Sequence, residues 1–332
     1  MSLASSVAPA IPRVGVLSHP WVRFGVRRLG RLLVSLWVLV TASFLMIHLI
    51  PGDPVRAALG PTAPPALVAA KRAEMGLDDP ILVQYWHYIQ NLFTGDLGTS
   101  LISQLPVSQI VSQRLPATLE LAVLGFLVAV AVAVPLGVLM GVLTRRGHGR
   151  RTELAFTTGS VVLGTIPDFL IGVALVYVFG VSLGWLPVAG NDTPSAYVLP
   201  VLALAIGPAA ILSRIIRVEM VTVLEADFVR TARAKRLPKR TVYLGHALPN
   251  ALTASLTIGG LLLSGMVAGT VLIENLFAWP GLGSTIVSSI LNKDYQVVQA
   301  IVLVYGVGVL LVNTAVDVAL AVLDPRSMIR ED

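Results

Sequence analysis

The chain has 332 residues, 55% of them hydrophobic and 13% charged, with 24 Lys and Arg against 18 Asp and Glu and a net charge of +6. A soluble protein carries roughly 25% charged residues to cover its surface, so this composition argues against a water-soluble enzyme, excludes a disordered chain and points to a polytopic membrane protein. The lack of cysteine removes disulfides, thiolate nucleophiles and iron–sulfur ligation, and none of the five histidines forms the i, i+4 pair of a helical metal site.

About 20 apolar residues in a helix cross a hydrocarbon core of ~30 Å. Taken in chain order, residues 1–31 form an N-terminal segment with Arg13, Arg23, Arg27, Arg28 and Arg31, and a first span covers 32–50. A long region, 51–117, rich in Pro and Gly, separates it from the second span at 118–143. Within that region Ile81, Tyr85, Tyr88, Ile89 and Leu92 fall on one face of a helix, which predicts packing against the membrane surface or the other spans. The third span covers 154–183 and contains Pro167, followed by Asp168; the fourth covers 198–216. A second long connection, 218–248, begins with a polar helix from Glu225 to Leu237 that Pro238 should end. The fifth span covers 251–273 and the sixth 297–323, so the expected fold is all-α with six transmembrane helices.

Cytoplasmic loops retain Lys and Arg. Nineteen of these residues fall in the N-terminal segment, the 144–153 connection, the stretch from Arg214 to Arg240 between the fourth and fifth spans, and the tail with Arg326 and Arg330; five fall elsewhere. The imbalance predicts that both termini and the 218–248 loop are cytoplasmic and that 51–117 is external. The basic runs lie between apolar segments, so topology accounts for them without nucleic acid.

Catalytic devices are missing from the sequence. There is no Gly-Lys dipeptide and hence no phosphate-binding P-loop, and no H-E-x-x-H zinc motif. Ser264 in Leu262-Leu263-Ser264-Gly265 reads as a helix-packing serine. Ionisable groups at membrane depth cost roughly 2.5–3.5 kcal/mol each on an insertion scale, which singles out His48, Glu120, Asp168, Glu274 and Asp317. His48, Glu120 and Glu274 lie near span ends, where snorkelling or capping is the expectation. Asp168 can accept a bond from a neighbouring helix or line a pathway. Asn313 and Asp317, one turn apart, suit hydrogen bonds between helices. The pairs Gly137/Gly141 and Gly265/Gly269 allow close helix approach.

The 218–248 loop exceeds an ordinary connection. A short helix held rigidly below a bundle suits docking into a partner's groove; a solvated basic loop is the alternative on pattern alone. Within it, Arg230-Thr231-Ala232 is followed by three residues, Arg236, nine residues and then His246-Ala247-Leu248-Pro249. This resembles the loop of permease subunits in bacterial ATP-binding-cassette importers of the dipeptide/oligopeptide branch, in which Glu-Ala-Ala, Gly and Ile-x-Leu-Pro keep that spacing. Here Arg230 replaces the glutamate and Arg236 the glycine, at a cost if that position needs positive φ. Further similar motifs follow in order: Pro51-Gly52-Asp53-Pro54, Gly76-Leu77-Asp78-Asp79-Pro80, Gly95-Asp96-Leu97-Gly98, Arg114-Leu115-Pro116-Ala117-Thr118-Leu119-Glu120, Pro167-Asp168-Phe169, Gly184-Trp185-Leu186-Pro187, the run Glu274 to Gly283, and Asp324-Pro325-Arg326. The nearest type is the first permease, dipeptide permease B.

The resemblance implies a non-enzymatic subunit of the inner membrane that carries dipeptides or short oligopeptides. It would form the pathway with a second, homologous permease, bathed in membrane lipid. It would hold no cofactor of its own, ATP and Mg belonging to two cytoplasmic ATPases or one fused ATPase, and an extracytoplasmic peptide-binding protein would deliver cargo. Residues Arg230, Thr231, Ala232, Arg233, Ala234, Lys235, Arg236 and Leu237 would lie in the ATPase groove. Asp168, Glu274, Phe277, Trp279, Asn313 and Asp317 are candidates for pathway lining or packing. Related importers carry glutathione, nickel complexes or haem, and an autonomous secondary transporter is the reading from another class.

Overall fold

The computed structural model describes residues 20–49, 52–60, 62–145 and 149–323. Arg13, Pro51, Arg146, Arg326, Arg330 and the motif Asp324-Pro325-Arg326 lie outside them. Among the described residues there is no strand, only a single bridge between Thr99 and Pro106.

The elements are α1 (Pro20–Leu49), α2 (Pro54–Leu59), α3 (Pro65–Glu74), α4 (Ile81–Thr94), α5 (Val107–Leu143), α6 (Arg150–Thr165), α7 (Asp168–Leu175), α8 (Val198–Glu225), α9 (Asp227–Ala234), α10 (Leu248–Leu276), α11 (Leu282–Leu291) and α12 (Tyr295–Leu323). Two π-helical stretches, Val176–Ser182 and Thr241–Ala247, extend α7 and lead into α10. By length and apolarity five helices can cross a membrane, or six if the bent pair α6–α7 is one span.

Three boundaries differ from the sequence reading. The second span does not begin at Thr118: its helix starts eleven residues earlier, at Val107. Pro116 would be expected to stop it, but Val107 and Val111 are buried against Leu282, Val297, Ala300 and Ile301, and that packing outweighs the lost backbone bond. The third span is not one helix. Pro167 lacks an N–H and drives Ile166 into the extended region (φ −69°, ψ 125°), so α6 and α7 meet at 96°. The fourth helix continues past residue 216 to Glu225, through residues 218–224 that the sequence reading assigns to a connection, because Met220 and Leu224 remain in the core.

α8 is the hub. One apolar cluster joins Ala133 of α5 to Leu212, Ile216, Met220 and Leu224 of α8, and reaches Val229 of α9 and Ala251 of α10. A second joins Leu121, Leu199, Leu204, Met266, Ile273, Phe277 and Trp279 at the other end. The α5–α8 seam is tight because Gly137 and Gly141 have no side chain. A Cβ at Gly137 would lie 2.7 Å from Ile216 Cβ, and one at Gly141 would lie 2.7 Å from Met220 Cβ. The second pair makes no such seam within the chain: a Cβ at Gly265 would meet nothing within 4 Å, and one at Gly269 only ordinary contacts.

α4 lies on α1. The Tyr85 and Thr41 hydroxyls are 2.7 Å apart, the Tyr88 hydroxyl donates to Ser43 at 3.3 Å, and both tyrosine rings stack near Phe44. Asp53 caps α2 through the Val55 and Arg56 amides, and its other oxygen pairs with Arg72 at 3.1 Å. Burial raises the Asp53 pKa, but the Arg72 guanidinium and the two amides outweigh it and hold the carboxyl below its ordinary value. Arg72, shared with Asp78, is correspondingly pushed up.

Candidate functional site

The segment that carries the loop motif is compact. Ala226 is extended (φ −64°, ψ 150°) and separates α8 from α9, so the helix spans Asp227–Ala234 and not Glu225 to Leu237. Asp227 in its first turn suits the positive end of the helix dipole. Val229 and Ala232, three residues apart, bury one face against α8 and the stretch Thr241–Ala247. Around this seat, Arg217 pairs with Glu153 of α6 at 2.5 Å and donates to Thr144 at 3.0 Å. The Arg145 guanidinium sits 6.0 Å from the centre of the Tyr243 ring. The helix is seated on α8 and the 241–247 stretch, and these bonds tie that seat to α6 and the end of α5.

Its other face points away from the bundle. Arg230, Thr231, Ala234, Lys235, Arg236 and Leu237 are exposed, while Arg233 is half-buried and Ala232 is buried. The eight residues assigned to one groove therefore divide between the bundle and the outside. Arg230 bonds Asp227 at 3.2 Å, but the two side chains are 71% and 93% exposed, so the pair contributes little. Phe228, also exposed, is a residue the motif does not mark; an isolated aromatic in a charged helix was its only sequence signal. Arg236 adopts φ +58°. The Arg236 amide donates to Arg233 O, and the Leu237 amide donates to Ala232 O. That closes a Schellman turn with a residue other than glycine, and Pro238 follows.

A second turn has the same form. After α10, Ala278 takes φ +47°, the Trp279 amide donates to Glu274 O at 2.7 Å, and Pro280 follows. Here the acid and the aromatic side chains are buried, although Ala278 itself is exposed. Glu274 does not reach an interface, the outcome expected of a snorkelling side chain. It is fully buried and accepts from Thr118 Oγ1 at 2.7 Å and from the Gly283 and Ser284 amides at 2.6 and 3.2 Å. A carboxylate at the start of α11 suits the helix dipole, and the donors replace water around a charge that burial would otherwise penalise by several kcal/mol. Gly281 and Gly283 are required, since a Cβ at either would strike the Glu274 carboxylate. Trp279 donates its indole N–H to Ala117 O at 3.0 Å and meets Tyr197 edge-on at 4.7 Å. Phe277 and Trp279 are core residues in this chain.

The remaining candidates separate. Asp168 begins α7, pressed against α8 and α10. A Cβ on Gly207 would lie 2.9 Å from Asp168 Oδ1, and one on Gly269 would lie 3.8 Å from Oδ2. Asn313 accepts from Ser264 Oγ at 2.8 Å and ties α12 to α10; Ser264 also bonds Gly260 O, as a packing serine should. Asp317 instead pairs with Arg28 of α1. His48 bonds Gln84 of α4 at 3.0 Å, and Glu120 accepts from the Tyr197 hydroxyl at 3.3 Å. These groups do not converge on one chemical centre.

The chain was compared with known proteins. The family "Binding-protein-dependent transport system inner membrane component" matches residues 133–329, and the N-terminal model of such components matches residues 21–122. Glutathione transport system permease protein GsiC of Salmonella typhimurium is 37% identical over 304 residues, covering 92% of this chain and 98% of that protein. GsiC of Escherichia coli strain K12 is 36% identical over the same shares. A chain of the MetNI methionine ABC transporter, solved in inward-facing conformations, superposes with a TM-score of 0.52 at 15% identity, over 65% of this chain and 97% of that one. At that identity the likeness is one of fold.

Proposed function

The chain belongs to the family of binding-protein-dependent transport system inner membrane components and is a permease subunit of an ATP-binding-cassette importer; from that premise we propose that its cargo is a short peptide and that α9 receives the work of separate ATPases. The secondary-transporter alternative falls with the family assignment. Relatives named for glutathione, itself a tripeptide, support cargo of that class and size.

The observation that carries the reading is the division of α9 into a seated face and a free one. Val229 and Ala232 seat the helix on α8 and the 241–247 stretch that leads into α10, so a push on its outer face is passed to the helices that would line the pathway. Phe228, Arg230 and Lys235 are left to meet a partner. The α9 end is the cytoplasmic one in this reading, as the Lys and Arg excess argues, and the α11 end faces the binding protein. ATP-driven closure of the ATPases shifts the pathway between its two openings only through contacts that differ between them, and α9 is where such contacts would be made. A second permease completes the pathway.

Arg230→Glu in the complete importer, reconstituted with its partner permease, ATPases and binding protein, tests the assignment. Peptide uptake is expected to fall at least tenfold with the chain's melting temperature unchanged. Unchanged uptake would remove α9 from the coupling path. Arg233, half-buried, is the wrong residue for this test, because reversing its charge would disturb the seat itself.

A further inference from the structure

A recess of about 390 Å³ opens at the α11 end between three walls: α11, the Gln113–Arg114 edge of α5, and the loop of residues 100–105. Its volume is at the low end of the range for small-molecule sites, about 300–1,000 Å³. Four observations give it chemical character. Arg114 lines it and has no ion-pair partner among the described residues, whereas Arg72 and Lys71 on the same side of the chain are both paired. The α11 wall is hydroxylic, with Ser284, Thr285 and Ser288 facing the recess. Ser284 donates its proton to Trp279 O and Thr285 to Gly281 O, each at 2.7 Å, so toward the recess they offer lone pairs. The only carboxylate in the lining, Asp294, is buried and already engaged by the Ser100 hydroxyl and, at 3.3 Å, by the Leu101 amide.

The last contact also explains why the recess holds its shape. Asp294 precedes α12 and reaches across to the 100–105 loop, so the loop is fixed by a buried bond to a helix start. A site with its rim anchored in this way needs no ordering when a ligand enters.

An unpaired guanidinium recognises a carboxylate through two parallel N–H bonds. Hydroxyl oxygens beside it accept amide N–H groups whatever side chains those residues carry. A free carboxylate next to backbone amides is the C-terminal end of a peptide. We infer that this recess binds the C-terminal carboxylate of the transported peptide, with Arg114 as its specificity-determining residue. The inference rests on the peptide reading above and adds to it a place and a chemical requirement. It also predicts that amino-acid identity matters little at this step, because the wall meets backbone groups.

The natural chain has no cysteine, which permits a direct test. Ser288→Cys is introduced in the complete importer in proteoliposomes, and its labelling by a membrane-impermeant maleimide is followed. The probes are a free-acid tripeptide and the same tripeptide amidated at its C-terminus, each at millimolar concentration. The free acid is expected to slow labelling several-fold and the amide to leave it unchanged, and Arg114→Gln added to Ser288→Cys should abolish the protection. Equal protection by both peptides, protection that survives Arg114→Gln, or none from either would overturn the inference. Uptake of the tripeptide by the unmodified importer is measured alongside. Uptake without protection sinks the recess alone, and absence of uptake sinks the peptide reading with it. An acidic side chain of the binding protein as the true ligand would appear as an Arg114→Gln uptake defect with no protection by the free acid.

Discussion

The turn after α9 and the turn after α10 have the same local chemistry and opposite surroundings. Each ends a helix with a left-handed residue other than glycine, then an apolar residue, then proline: Arg236-Leu237-Pro238 in one, Ala278-Trp279-Pro280 in the other. Each closes with the same backbone bond, from the amide of the apolar residue to the carbonyl five positions back. Around Trp279 the acid and the aromatic side chains are buried and bonded within the chain, and the exposed residues, Asn275 and Ala278, carry no charge. Around Leu237 the side chains of Arg230, Lys235 and Arg236 are exposed, and Arg230 has only a solvent-screened pair with Asp227. A turn satisfied by its own chain is a clasp. A turn that presents unsatisfied charge beside an exposed aromatic is one half of a contact.

Breaking the clasp should have the largest effect. Glu274→Ala leaves two amides and the Thr118 hydroxyl without an acceptor inside the core, at a cost of about 3 kcal/mol or more. The purified variant should melt far below the native chain or fail to accumulate in the membrane; a native melting curve would show that the clasp is dispensable. Next is Val229→Asp on the seated face of α9, which puts an unpaired carboxylate at a fully buried position of the apolar cluster. Uptake and melting temperature should both fall, in contrast to Arg230→Glu, which should lower uptake alone. If the two variants behave alike, the division of α9 into two faces is wrong.

Smaller effects sharpen the likeness of the two turns. A left-handed residue other than glycine costs roughly 1–2 kcal/mol, so Arg236→Gly and Ala278→Gly should each stabilise the chain by up to about 1 kcal/mol, read as a small rise in melting temperature. Only Arg236→Gly should alter uptake, since it alone removes a charge from the face left to a partner, whereas Ala278, also exposed, loses only a methyl group. The smallest effect concerns Asp53. Its folded pKa lies below the ordinary 3.8, so its contribution is complete above that value and is lost as pH falls through the folded one. Proteolysis of the 52–79 segment should therefore accelerate only in strong acid, and Asp53→Asn should remove that dependence.

Much of the fold was legible along the chain. The apolar segments, the shared face of α4 and the spacing around Arg230 are all one-dimensional signals, because helix period and span length are local properties. What went unread depends on neighbours distant in sequence. Pro116 reads as a helix stop until α11 and α12 pack beside Val107. Pro167 is visible inside the third span, but the size of the bend beside it, 96°, is not. Glu274 reads as a span-end residue, and its burial depends on Thr118, 156 positions away. The recess at Arg114 joins three segments with no common motif.

The sequence by itself determined that this chain is a helical membrane permease with a motif-bearing loop, since composition, periodicity and motif spacing survive without coordinates. Only the tertiary structure decided which face of α9 is free, that Glu274 is a buried clasp and that Arg114 borders a recess. A charge is costly, neutral or functional according to what surrounds it, and those surroundings are assembled from residues that meet only when the helices pack.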